Sequence, residues 1–220
     1  MMDAGIRDKL RKFYEEILNG DRGVPEYFKT ARTMFLSKDE TEFPKEGQVR
    51  IISMLSAITK LWEELLHQFL KIEVAEHMPL HENQRGFVKG GSCLKNLDDL
   101  TRIIEDIKKS KNTRVRGIKR PTEHPREYLF FVDLKKAFDS VDRALLLNMM
   151  HKAKMNDRLT AALRSLYDGM ALLVNGKRVK TNIGVVQGGI TSPLTFNMMI
   201  DALIRKLNKR AVCYALEQCC

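Results

Sequence analysis

Three carboxylates, Asp133, Asp139 and Asp142, lie in the run FFVDLKKAFDSVD at positions 130–142. The apolar Phe130-Phe131-Val132 that leads into the first of them suits a buried strand. Asp133 is therefore expected at the end of a core strand, where a carboxylate without a cation or hydrogen bonds is costly. In a basic chain, such a group points to a divalent-metal site facing phosphates. Asp139-Ser140, before the helical Val141-Asp142-Arg143-Ala144-Leu145-Leu146-Leu147, reads as a helix N-cap, and a cap together with the macrodipole accounts for Asp139 and Asp142 as helix-start residues better than metal ligation. A second constellation is Gln187-Gly188-Gly189, a flexible turn that runs into a helix start at Ser192-Pro193. Backbone at glycine can approach a ligand closely, and helix starts favour phosphates, although alone this pattern is equally a plain turn. A third, HENQRGFVKGGSC at 81–93, sets Gly86, Gly90 and Gly91 among Arg85 and Lys89 as a turn-rich basic loop.

The elements that must position these groups alternate helix and short strand, without internal repeats. Ile6, Leu10, Phe13 and Ile17 predict a first amphipathic helix ending near Asn19-Gly20. Thr33–Leu36 and Val49–Ile52 predict two strands flanking a charged tip at 38–47, a basic finger. Residues 53–73 predict the clearest helix, with Leu55, Ile58, Leu61, Leu65, Phe69 and Ile72 on its core face and Trp62 beside it. Further helices are expected over 94–107, from 141 to about 154, over 159–166 and from 192, with a hairpin around Asn175-Gly176.

The chain has 220 residues, 44% hydrophobic and 30% charged, enough to bury a core in one domain or one domain with a lobe. A net charge of +10 and a pI near 9.5 favour a polyanionic partner such as nucleic acid. Seven of the thirteen residues from Lys108 to Arg120 are basic, and Pro121 and Pro125 follow, which reads as an exposed connection. No run of about 18 apolar residues predicts a membrane span, and the N-terminus lacks a signal-peptide core, so an intracellular setting is expected. Cys93, Cys213, Cys219 and Cys220 show no metal spacing and read as free thiols. His77 and His81 have the spacing of zinc ligands on a helix, but Pro79 between them interrupts it.

Taken in order, these segments resemble the reverse transcriptase family, particularly the right-hand polymerases of non-LTR retrotransposons and group II introns. VRIISMLSAITKLWEELL is similar to its finger segment, and NQRGFVKGGSC to the next. FFVDLKKAFDSVD resembles the first palm motif, and GVVQGGITSPLTFNMMID, with its approach SLYDGMALLVNGKRVKTNI, resembles the later Gln-Gly, Ser-Pro-Leu, Phe-Asn motif. The resemblance implies an α/β (α+β) fold of fingers and partial palm: a helical lead-in at 1–30, fingers with the basic connection at 31–125, partial palm at 126–215 and an aberrant tail at 216–220.

It also implies RNA-templated DNA synthesis from a nucleic-acid primer and deoxynucleoside triphosphates, with two Mg²⁺ ions clamping the 3′-hydroxyl and the triphosphate for in-line displacement. Asp133 would ligate both ions, the Leu134 carbonyl would add a ligand, and Lys38 and Arg50 would neutralise the triphosphate. Lys45 competes with Lys38 for that role, because the loop before Arg50 varies in length. Phe138 falls where the family places a bulky gate against a ribose 2′-hydroxyl. Gln187 and Gly188 would border the nascent base pair. Ser192 and Asn197 would support that loop, and with Arg85 and Lys89 complete the nucleic-acid-binding set.

The sequence departs from the family where an aromatic-Ala-Asp-Asp hairpin should carry the remaining metal-binding carboxylates. Here Tyr214-Ala215 is followed by Leu216-Glu217-Gln218-Cys219-Cys220, and the primer-supporting segment and thumb are expected to be absent as well. The chain is accordingly expected to be inactive. Two other readings remain open at this stage: an RNA-dependent RNA polymerase palm, and a non-catalytic nucleic-acid-binding remnant.

Overall fold

Asp3 accepts hydrogen bonds from the Gly5 and Ile6 amides, at 2.8 and 3.3 Å, and so caps α1 (Ala4–Asn19). Gly20 closes the same helix in left-handed backbone, φ 82°, as the Asn-Gly signal implies. The computed structural model describes residues 3–37, 49–112 and 131–210. Lys38, Lys45 and the finger tip lie outside the described residues, as do Tyr214-Ala215, Glu217 and the basic run beyond Asn112.

A 3-10 turn at Glu26–Lys29 leads into β1 (Thr30–Ser37), which pairs antiparallel with β2 (Val49–Met54), Arg32 opposite Met54 and Ser37 opposite Val49. Next come α2 (Ala57–His77), capped by the Ser56 hydroxyl on the Thr59 amide, and α3 (Cys93–Asn112). Then follow α4 (Arg143–Lys152), α5 (Asp157–Tyr167), β3 (Ala171–Val174), β4 (Lys177–Lys180) and α6 (Ser192–Arg210). The β3–β4 hairpin turns at Asn175 and Gly176, φ 48° and 78°, the two left-handed positions that an Asn-Gly turn supplies. One four-stranded sheet results, in the order β2-β1-β3-β4, with β3 parallel to β1. This is a mixed α/β architecture compatible with a partial fingers and palm. No helix among the described residues is long and apolar enough to cross a membrane.

The chain divides into two compact units, residues 1–81 with 136–220, and residues 82–135. In the first, Phe28, Trp62, Leu66, Leu70, Met150 and Leu163 are fully buried and knit α1, α2, α4 and α5 into one core. In the second, turns at 82–92 precede α3, and Arg85 is paired with Asp99 at 2.5 Å.

Three expectations need correction. The core face of α2 is Thr59, Trp62, Glu63, Leu66, Leu70 and Val74; of the residues expected there, Leu55 is buried and Leu65 packs half-buried against the core, whereas Ile58, Leu61, Phe69 and Ile72 are exposed. Leu61-Trp62, Leu65-Leu66 and Phe69-Leu70 make two adjacent apolar stripes of equal period. The stripe carrying the indole is the one covered, with Tyr14 of α1 tilted against Trp62 at 5.4 Å. Phe131 and Val132 form no strand and are 84% and 74% exposed, because β propensity yields a strand only where a neighbour completes the ladder. Finally, Asp142 alone caps α4, its carboxylate accepting from the Leu145 amide at 2.9 Å, whereas Asp139 sits in a separate 3-10 turn, Phe138–Ser140, and faces elsewhere.

Candidate active site

The Gln187-Gly188-Gly189 turn is fixed from three sides. The Ser53 amide of β2 donates to the Gln187 carbonyl at 2.9 Å. Gly188, φ 114°, lies so close to that strand that a Cβ would stand 2.4 Å from the Ser53 carbonyl oxygen, so no larger residue fits. From α2, the buried Glu63 carboxylate accepts from the Ile190 amide at 2.7 Å and the Thr191 hydroxyl at 3.3 Å. A Cβ on Gly189 would meet Ser192 Oγ at 2.7 Å and Glu63 at 3.0 Å. Burial pushes the Glu63 carboxyl up to about 7, against the opposing pull of the Ile190 amide, the Thr191 hydroxyl and Lys60.

The third side is the end of the FFVDLKKAFDSVD run. The Gly184 amide donates to the Val141 carbonyl at 2.8 Å and the Val185 amide to the Phe138 carbonyl at 2.9 Å. Gln187 Nε2 donates to Asp139 Oδ1 at 3.0 Å. Phe138 is half-buried and stacks on Phe196 of α6, ring centroids 4.8 Å apart. A cavity of about 510 Å³ opens between these segments and the sheet, lined by Ser53, Lys136, Asp139, Arg143, Lys180 and Gln187 among others.

Of the residues singled out from sequence, the structure brings together Phe138, Gln187, Gly188 and Ser192, with Asn197 in the same helix as Ser192. Ser192 and Asn197 are each only 2% exposed. Arg50 is exposed on β2, on the strand face it shares with Ile52 and Met54, opposite Leu36. Asp133 and Leu134 belong to the other unit and are exposed without regular structure, as is the side chain of Lys89. The guanidinium of Arg85, half-buried, is engaged by Asp99.

Two residues were missed. Glu63 reads in sequence as a surface charge of an amphipathic helix, and its one signal is its place on the Trp62 side. Arg143 reads as an ordinary first-turn helix residue, yet it is 7% exposed. Its guanidinium donates to the carbonyls of Gly184, Thr181 and Tyr167, at 2.7, 2.6 and 3.2 Å, and lies over the Tyr167 ring. Burial lowers its pKa below the ordinary arginine value, with Tyr167 working the other way. It thereby ties α4 to the chain entering the Gln187 turn.

The sequence matches the family described as reverse transcriptase (RNA-dependent DNA polymerase) over residues 38–217. The chain belongs to the reverse transcriptase family. Similar proteins include the Pol polyprotein of the type-1 retrotransposable element R2 of Nasonia vitripennis, 26% identical over 64% of this chain and 13% of that protein. The corresponding polyprotein of the type-2 element R2DM of Drosophila melanogaster is 24% identical over 84% of the chain and 16% of its own length. The probable RNA-directed DNA polymerase from transposon BS of the same fly is 25% identical over 79% and 18%. The chain thus spans less than a fifth of the length of these relatives. Both the family and its non-LTR retrotransposon character agree with the motifs.

The family is metal-dependent, but the residues described do not complete a metal site. Among the described residues no three His, Cys, Asp or Glu side chains converge. Asp133 offers one exposed carboxylate. The described residues alone do not hold two Mg²⁺ ions.

Proposed function

We propose that this chain is the fingers, 31–125, and partial palm, 126–215, of a retrotransposon polymerase whose ancestral reaction is RNA-templated DNA synthesis, and that as it stands it binds a primed template without extending it. The observation that carries the reading is the Gln187-Gly188 turn, pinned between β2 and the Phe138–Val141 segment. A backbone held there with no room for a side chain suits a flat ligand edge such as a nascent base pair. The stacked Phe138 ring beside it suits a gate against a ribose 2′-hydroxyl and so a deoxynucleotide. Exposed Arg50, and Lys38 or Lys45, would take phosphate charge, and Arg85 and Lys89 the nucleic acid. Asp133 would be the first metal carboxylate, and Leu216-Glu217 in place of an aspartate pair would leave the two-metal site incomplete.

The test is fluorescence anisotropy with a primed RNA template, run beside a primer-extension assay with Mg²⁺ and deoxynucleotides. Binding that weakens with salt and no extension is expected, and Arg50→Ala should lower the affinity about tenfold and flatten the salt dependence by about one counterion. Robust extension would refute inactivity. Absence of binding would refute the reading as a whole.

A further inference from the structure

Gln187 is the polar side chain of the pinned turn, and its amide has two unlike ends, an acceptor oxygen and a donor NH2. Which end faces a ligand decides what the ligand must offer. A carboxylate is an acceptor only, so the partner at 3.0 Å, Asp139 Oδ1, can be satisfied by the NH2 end alone. Asp139 cannot drift from this position: its turn is bonded to the incoming strand through the Val185 amide on the Phe138 carbonyl, 2.9 Å, and the Gly184 amide on the Val141 carbonyl, 2.8 Å. The approach is tight enough that a Cβ on Gly184 would lie 2.9 Å from the Asp139 Cα. Asp139 caps no helix, since Asp142 does that, and it belongs to no ion pair among the described residues that would otherwise explain it.

We propose that Asp139 is a positioning residue for Gln187: it locks the amide with its NH2 end toward the carboxylate and leaves the carbonyl oxygen as the acceptor offered to the nascent base pair and primer end. This rests on the polymerase reading above, and it adds a chemical polarity to that site. Ligands with a donor, a hydroxyl or amino hydrogen, are favoured there over ligands presenting only acceptors.

A swap of the two groups tests this in the full chain, again by anisotropy with a primed RNA template. Asp139→Asn lets the amide turn over, and Gln187→Glu sets two carboxylates face to face; each is expected to weaken binding about tenfold. The double variant D139N/Q187E restores an N–H···O contact with the roles reversed and still presents an oxygen acceptor, so it is expected to regain most of the affinity. Independently, in the unaltered chain the two side-chain N–H resonances of Gln187 should be widely separated and slow to exchange, and Asp139→Leu should bring them together. Single variants that bind like the unaltered chain, a double variant no better than the weaker single one, or a Gln187 amide that exchanges like an exposed glutamine each overturn the proposal. If the unaltered chain does not bind primed template at all, the polymerase reading fails, while the resonances still decide whether Asp139 holds the amide.

Discussion

Residues 184–191 and residues 131–134 are both short, irregular and rich in apolar side chains, and they are held in opposite ways. In the first, the amides of Gly184, Val185, Gly189 and Ile190 and the carbonyl of Gln187 all have protein partners, drawn from β2, α2 and the Phe138–Val141 segment as well as from the turn itself. In the second, Phe131, Val132, Asp133 and Leu134 are exposed. The difference teaches that order in an irregular segment comes from satisfied backbone groups and not from apolar content. Among the described residues, no ladder takes the amides of 131–134, and this run with strong strand character forms no strand.

Substitution should separate the two regions most sharply at Gly188. Gly188→Val is expected to cost about 4 kcal/mol or to prevent folding, because its Cβ would strike the Ser53 carbonyl and φ is left-handed; urea denaturation measures this. Arg143→Met, which removes the donor from the buried Gly184 and Tyr167 carbonyls and the half-buried Thr181 carbonyl, is expected to cost on the order of 3 kcal/mol in the same experiment. An effect below about 1 kcal/mol would mean that Arg143 does not tie the turn to α4.

Glu63 gives the comparison a pH axis. In the unfolded chain its carboxyl ionises near 4.5, in the folded chain near 7, chiefly because of burial. Between these values the folded state holds the proton more tightly, so this contribution to stability is complete below 4.5 and is lost as pH rises through 7. The span corresponds to on the order of 3 kcal/mol. The stability difference between Glu63→Gln and the unaltered chain, measured from pH 4.5 to 8, should therefore shift by up to that amount in favour of the variant. A flat difference would place Glu63 in contact with water. The smallest effect is expected at Phe131→Ser, within about 0.5 kcal/mol, despite the loss of a large aromatic.

Much of the fold was legible because local signals agreed with it. α1 has both its apolar period and its Asn-Gly stop, and the β3–β4 hairpin has the turn residues its geometry demands. The face of α2 was not legible, since its two apolar stripes have the same period and partners remote in sequence, Tyr14 of α1 against Trp62 and Ile190 and Thr191 on Glu63, select one. The site divides similarly. Gln187, Gly188 and Phe138 carry signals in their motifs, whereas Glu63 and Arg143 act through long-range hydrogen bonds that no spacing encodes. Asp139 was read as a cap because a cap is local, and its actual partner is 48 residues away.

The parallel pairing of β1 with β3 has a consequence for synthesis on the ribosome. β1 finds one neighbour in β2 soon after it is made, but its other edge must wait for β3, more than 130 residues later. At 5–20 residues per second that delay is roughly seven to thirty seconds. Throughout it, a nascent hairpin bearing Met34, Phe35 and Leu36 has an unpaired edge. The emerging polypeptide is thus most open to chaperone capture, or to pairing with a neighbour on the same message, before Ala171 leaves the exit tunnel.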